Sequence, residues 1–433
     1  MFLQLKLAFK RHHIKSIIKE NPSLFYLAKW LILCSIIGIS VGTASAFFLW
    51  SLNWVTDFRE SHLWLLALLP IGGLLVGLLY HYYGKSVETG NNLLINTIHE
   101  PQNSKTIPFK MAPMVLLGTL VTHLFGGSAG REGTALQMAG AISDQFSRPF
   151  GLHAFDRKIL IIASISAGFG SVFGTPLSGA IFALEVFIIG KMSYDAIFPA
   201  FAAGIIAHIT TLSWHTPHTH YHIPELPNLT GLTVIYSIVA GIAFGLTAML
   251  FSKATFATTK VFKTIHFAPL RPFVGGIIVS ILLWFLGKST FAGLGIPTIV
   301  QSFDTQLPYY DFAIKMLLTI LTISAGFKGG EVTPLFFIGA TLGNALSLFI
   351  PLPMGLLAGM GFVAVFAGAT NTPLACMVMG IELFGGECGI YVAIACIVSY
   401  MISGHNSIYR SQMIGEPKHF IFSKLRGKRL HEI

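Results

Sequence analysis

Charge is scarce in this sequence. Asp, Glu, Lys and Arg make up only 11% of its 433 residues, against about 25% in a soluble domain. That excludes a water-facing surface of the ordinary kind. Acidic residues are the scarcer sign, 18 against 28 Lys and Arg, for a formal net charge of +10. The four cysteines (Cys34, Cys376, Cys388 and Cys396) stand in apolar stretches with no CxxC pair. They read as small buried residues, not as a disulfide frame or metal site. From Met1 to Phe25 the chain is basic with scattered apolar residues and lacks a signal-peptide layout. HExxH, GxSxG and a metal-ligand trio are missing as well, so the chain is not read as an enzyme and no cofactor is expected.

What fills the sequence is apolar. Hydrophobic residues are 53% and the mean hydropathy is +0.70, so the solvent for most of the chain is lipid. The basic residues sit at the ends. Lys6, Lys10, Arg11, Lys15, Lys19 and Lys29 precede or enter the first apolar span, and Lys418, Lys424, Arg426, Lys428 and Arg429 follow the last. This placement argues against nucleic-acid binding and for the positive-inside rule, which predicts both termini in the cytoplasm and an even number of crossings. Residues 3–19 read as a short interfacial amphipathic helix. The expected location is the plasma (inner) membrane, as a multi-pass protein.

Apolar spans recur from 26–50 to 389–403, and several fall short of the ~20 residues that cross hydrocarbon. Gly126-Gly127, Gly174-Thr175-Pro176, Gly329-Gly330 and Asn371-Thr372-Pro373 interrupt them, as expected of broken helices meeting at mid-membrane. The chain also repeats itself. Gly130-x-Glu132-x-Thr134-x-Leu136-x-x-x-Gly140-Ala141 returns as Gly329-x-Glu331-x-Thr333-x-Leu335-x-x-x-Gly339-Ala340, 199 positions on. Thr175-Pro176-Leu177 with Glu185 and Phe187 returns as Thr372-Pro373-Leu374 with Glu382 and Phe384, 197 positions on. The division that follows is 1–25, a cytoplasmic amphipathic segment; 26–212, a first membrane repeat; 213–230, an inter-repeat loop; 231–412, a second repeat; and 413–433, a basic cytoplasmic tail. Whether the halves run parallel or inverted stays open at this level.

Glu132 follows a glycine-rich run inside a mostly apolar stretch. A carboxylate at membrane depth costs a few kcal/mol unless paired, hydrated or protonated. The glycines let backbone N–H groups converge, and a helix beginning near Thr134 would aim its positive end at them. Such a site accepts either the carboxylate or a substrate anion. The alternative is a structural ion pair with Arg131.

Gly130-Arg-Glu-Gly-Thr134, Gly329-Gly-Glu-Val-Thr-Pro334 and Phe173-Gly-Thr-Pro-Leu-Ser-Gly-Ala-Ile-Phe-Ala-Leu-Glu185 resemble the signature segments of the CLC anion channels and transporters, over residues 30 to 412. The resemblance implies an all-α membrane protein of the CLC-type fold, two inverted-topology repeats of broken, tilted helices, forming a homodimer with one pore per subunit. It also implies that Glu132 is the gate and proton carrier, and that Tyr409 lines the inner pore. The departures are Gly90-Asn91-Asn92 where Gly-Ser-Gly is usual, Thr134 for proline, Glu331 and Thr333 in the second loop, and Val186 where exchangers carry an inner proton glutamate. They resemble the fluoride-exporting branch.

The implied anion-binding set is Asn91, Asn92, Arg131, Gly133, Thr134, Val332, Thr333 and Tyr409, with Glu132 and Glu331 in gating and proton transfer. Fluoride is a strong hydrogen-bond acceptor and needs good donors in a dry site, which amides and hydroxyls supply. Asn92 could instead cap the helix that follows it, Glu331 could merely brace its loop, and Tyr409 could sit in an aromatic belt. The His208, His215, His218, His220 and His222 cluster reads as a solvated loop, and no single phenylalanine can be assigned to the pore. A chloride channel or chloride/proton exchanger is the nearest alternative function; an intramembrane enzyme with Glu132 and Glu331 as paired acids is the remote one.

Overall fold

The computed structural model describes residues 21–102, 105–287 and 289–433; the amphipathic helix expected over 3–19 lies outside them. The first element, α1 (Pro22–Ser61), starts with proline in its first turn, where the fixed φ suits a helix and no N–H is missed. At 40 residues it is about 60 Å long and outruns the span expected at 26–50. A short 3-10 turn (Leu63–Leu68) then returns the chain through α2 (Leu69–Tyr83). The first half continues with α3 (Asn91–His99), α4 (Met111–Leu124), α5 (Glu132–Ser143), α6 (Ala154–Phe173), α7 (Pro176–Glu185) and α8 (Ile197–Ser213). The second half is α9 (Gly231–Lys263), α10 (Leu270–Leu286), α11 (Ile296–Asp304), α12 (Asp311–Ser324), α13 (Val332–Leu346), α14 (Met354–Thr370), α15 (Pro373–Phe384) and α16 (Gly389–Ile402).

Each helix of the first half has its counterpart in the second, and the contacts between halves are reciprocal. Gly130 N–H donates to Gly330 O at 2.6 Å, and Gly330 N–H donates to Gly130 O at 2.8 Å. The Glu382 carboxylate accepts from Leu177 and Ser178 N–H, while Glu185 accepts from Leu374 and Ala375 N–H. Contacts that map onto themselves when the halves are exchanged define a two-fold axis between them. The start of α1 and the start of α8 share one face, through Tyr26 Oη to Asp195 O; α1 leaves that face, and its counterpart α9 returns to it. The repeats are therefore inverted.

Helices that are apolar all round must be buried all round, and α6 and α14 are, with nearly every residue from Ile159 to Phe173 and from Gly355 to Thr370 inside the protein. Packing is tightest where α13 crosses α14: a Cβ on Gly339 would strike the Gly361 carbonyl, and the converse holds too. The outer helices carry apolar side chains outward instead, with Trp50 66% and Trp284 77% exposed. Water does not tolerate so large an apolar belt; lipid does.

One segment is more structured than the sequence suggests. Residues after α16 fold back onto the body: β2 (Met413–Ile414) pairs in parallel with β1 (Ile188–Ile189), and Arg429 bonds Glu100 at 2.5 Å. The loop between the halves is mostly exposed, as expected, and is anchored inward at a few side chains. His218 Nε2 lies 2.9 Å from Ser171 O, its ring is tilted 48° to that of His208 at 5.6 Å, and Tyr221 touches Phe303 and Phe362.

The reciprocal caps are testable. Glu185→Ala would strand the Leu374 and Ala375 N–H groups, the second of them buried, and should lower stability by roughly 3 kcal/mol. Glu382→Ala should cost less, because Glu382 is only half-buried. Thermal unfolding in detergent reads both; a larger shift for Glu382→Ala would contradict the arrangement.

Candidate functional site

The first N–H groups of any α-helix have no partner within the helix. In α13 these belong to Val332 and Thr333, since Pro334 at the next position has none. The carboxylate of Glu132, from the other repeat, takes them. Glu132 Oε2 accepts from Val332 N–H at 3.2 Å, and Oε1 accepts from Thr333 N–H at 2.7 Å, from the Thr333 hydroxyl, and from Arg131 N–H at 3.1 Å. Glu132 is fully buried. Its carboxylate occupies an anion site made of backbone donors and one hydroxyl, at the positive end of a helix.

Two glycines make that seat possible. A Cβ on Gly130 would lie 2.6 Å from both carboxylate oxygens, and one on Gly330 would also strike Glu132. The two glycines form the inter-repeat bridge, so the symmetry axis passes beside the site.

The register matters here. The sequence match aligns Glu132 with Glu331, 199 apart, but the structure aligns residues 200 apart in this region. Gly130 mates with Gly330, and α4, α5 start at Met111 and Glu132 while α12, α13 start at Asp311 and Val332. One residue is about 100° around a helix, so Glu331 does not mirror Glu132. Where Glu132 sits in the donors of α13, Glu331 faces a cavity of about 710 Å³ that it shares with Asn91, Asn92, Gln137, Lys328 and Tyr409. Among the described residues no N–H of another residue donates to its carboxylate.

The remaining predicted residues divide. Asn91 reaches the site: its Nδ2 lies 3.2 Å from where a Gly133 Cβ would stand, and its Oδ1 is buried without a partner. Gly133 thus matters as space between Asn91 and the Gly329 carbonyl. Asn92 does not cap α3, whose cap is Gly90; its Oδ1 accepts from Ser411 N–H at 3.1 Å instead. Thr134 is turned away, its hydroxyl 2.5 Å from that of Thr119 in α4. It stands at the position matching Pro334, not Thr333. Arg131 forms no ion pair with Glu132; its guanidinium lies over the Phe173 ring at 6.0 Å, with Nε buried and unpartnered. Val186 is 3% exposed and its carbonyl accepts from Gln412. Tyr409 is 3% exposed, edge-on to Phe182 and lining the cavity.

Sequence reasoning missed Gln137, Phe182 and Lys328. Lys328 carried a usable signal, a charge inside a glycine-rich break between apolar helices. Phe182 is one of a stack with Phe169 and Phe366, and nothing in the sequence distinguishes it from the other phenylalanines.

Comparison with known proteins bears on the family and the fold. The family model for voltage gated chloride channels matches residues 72–404. The chain is similar to a chloride/fluoride channel protein of Pseudomonas syringae pv. tomato, 52% identical over 401 residues, covering 91% of this chain and 88% of that protein. Its fold is similar to the crystal structure of a CLC-type fluoride/proton antiporter, with a TM-score of 0.86 and 36% identity over 90% of this chain and 98% of that one. A slow cyanobacterial Cl-/H+ antiporter shares the fold alone, at a TM-score of 0.74 and 19% identity over 86% of this chain and 94% of that one. With its inverted repeats and its helix-end site occupied by a glutamate, the chain belongs to the CLC family of voltage-gated chloride channels and transporters.

Proposed function

We propose that this protein exports fluoride in exchange for protons. The observation that carries the reading is the Glu132 carboxylate sitting in the Val332 and Thr333 donors. The carboxylate stands in for a transported anion, and the two exclude each other. Protonation removes its charge and weakens it as an acceptor, so a proton on Glu132 and an anion on α13 go together. That linkage is what exchange requires. The relatives named for fluoride support the choice of ion, as do the donors: two amides, a hydroxyl and the Asn91 amide suit a small, strongly accepting anion that must shed its water.

Glu331 and Tyr409 line one cavity, which supports a role for Glu331 in passing protons on and for Tyr409 in lining the inner pore. The face bearing both ends of the described chain is the cytoplasmic one in this reading, which follows the basic residues at both ends, and the membrane is the plasma (inner) membrane. Leu177, Leu374, Ile381, Ile390 and Ile397 expose an apolar surface on α7, α15 and α16 that suits a homodimer. An enzymatic role has no support in the site, since Glu331 does not oppose Glu132 as a paired acid.

Two measurements in proteoliposomes test the reading. With an imposed fluoride gradient the protein should drive protons uphill, and Glu132→Gln, which keeps the shape but fixes a neutral side chain, should abolish that movement. Fluoride leak without proton movement in the unaltered protein would make it a channel. Selectivity is the second. Asn91→Ala with Thr333→Ala removes two side-chain donors and should shift the fluoride-to-chloride ratio toward chloride, by about tenfold per donor. Asn92→Ser should shift it less, because that side chain serves Ser411. A larger effect at Asn92 would contradict the placement.

A further inference from the structure

Residues 406–412, after α16, are irregular, and Tyr409 is carried on them. A segment with no helix or strand of its own is held by individual hydrogen bonds, and three of them here run through one side chain. Gln412 is fully buried. Its Nε2 donates to Val186 O and to Thr370 O, each at 2.7 Å, and its Oε1 accepts from Asn371 Nδ2 at 3.3 Å. Val186 follows α7 in the first repeat, and Thr370 ends α14 in the second. The last carbonyls of a helix have no partner within it, so one amide answers an orphan from each repeat. The Gln412 N–H also donates to Tyr409 O at 3.2 Å, which closes the turn that begins at the tyrosine.

Asn371 is the second half of the clamp, and it departs from the symmetry of the repeats. It follows α14 with φ 59°, in the left-handed region where glycine is usual. Its counterpart 197 positions earlier is Gly174, which follows α6 with φ 77°. Asparagine tolerates that backbone, and its side chain is used. Nδ2 donates to Asn406 O at 3.2 Å as well as to Gln412, so the amide ties both ends of the segment to the end of α14. Between those ends, Ile408 N–H donates to Ala369 O at 3.0 Å. A buried amide network with its bonds made holds one arrangement; without it, residues 406–412 lose the contacts that choose where the tyrosine ring lies.

We propose that Gln412 and Asn371 are positioning residues for Tyr409: they set its ring against Phe182 and the cavity, and through it they keep fluoride movement tied to proton movement. The inference rests on the transport reading above. It adds two residues that act through the tyrosine, one of them placed where the first repeat has glycine.

The test reads fluoride and proton flux together in proteoliposomes, with thermal unfolding in detergent as the control for folding. Asn371→Gly keeps the left-handed backbone and loses the amide. Gln412→Met keeps the length of the side chain and loses its hydrogen bonds. Each should raise the fluoride leak that carries no proton by about fivefold, the scale of one coupling between residues in contact. Tyr409→Leu should raise that leak too, and adding Gln412→Met to it should raise it no further. An unchanged leak in either folded variant would overturn the proposal and leave the clamp a purely structural role, whatever the loss of thermal stability. An unchanged leak in Tyr409→Leu, or effects of Gln412→Met and Tyr409→Leu that simply add, would overturn it as well. If Gln412→Met does not fold, Asn371→Gly decides alone, in the same cycle with Tyr409→Leu. If the unaltered protein moves no protons, the exchange reading fails by itself, and the fluoride-to-chloride flux ratio takes the place of the leak in that cycle.

Discussion

A carboxylate buried at membrane depth has to be satisfied, and the arrangement of this molecule follows from how that is done for Glu132. Its partners are the orphan N–H groups at the start of a helix from the opposite repeat. Helix starts need acceptors and buried acids need donors, so each answers the other across the two-fold axis. The same bargain is struck twice more, by Glu185 at the start of α15 and Glu382 at the start of α7. Those two are mates under the symmetry and close the repeats upon each other. Glu132 has no such mate. The symmetric partner of its position is Val332, so the acceptor at the start of α13 has no counterpart in the other repeat.

Broken helices are what bring these ends to mid-membrane. A helix crossing the whole bilayer would put its first N–H groups in the headgroup region, where water satisfies them. Stopping α5 and α13 short at the Gly130–Gly330 bridge places them in a dry interior, where a donor is worth far more. The long α1 and α9, with their lipid-facing aromatic and aliphatic side chains, supply the thickness that the short helices do not. The inter-repeat loop packs His218 against Ser171 and Tyr221 against Phe303 and Phe362, and Glu331 lines the cavity.

Much of this was legible in the residues. The scarcity of charge, the repeated Gly-x-Glu-x-Thr segment and the isolated acid in a glycine run point to a membrane body with a paired, central anion site. What sequence could not supply was phase. The repeated motif matches best one residue out of the structural register, and one residue at a helix start decides whether a side chain enters the site or leaves it. For that reason Thr333 meets Glu132 while Thr134 turns to Thr119, and Asn91 reaches the site while Asn92 serves Ser411, 319 residues away. Contacts of that range carry no local signal. The sharing of α13 by a glutamate of the first half is equally invisible until the fold brings them together.

The central claim is that anion and ionised Glu132 compete for one set of donors, so binding the anion must bring a proton onto the glutamate. Calorimetric titration of the purified protein with fluoride, in buffers of different ionisation enthalpy at near-neutral pH, measures that proton directly. The account predicts uptake approaching about one proton per fluoride bound and an affinity that falls as pH rises. Binding with no proton uptake and no dependence on pH would contradict it.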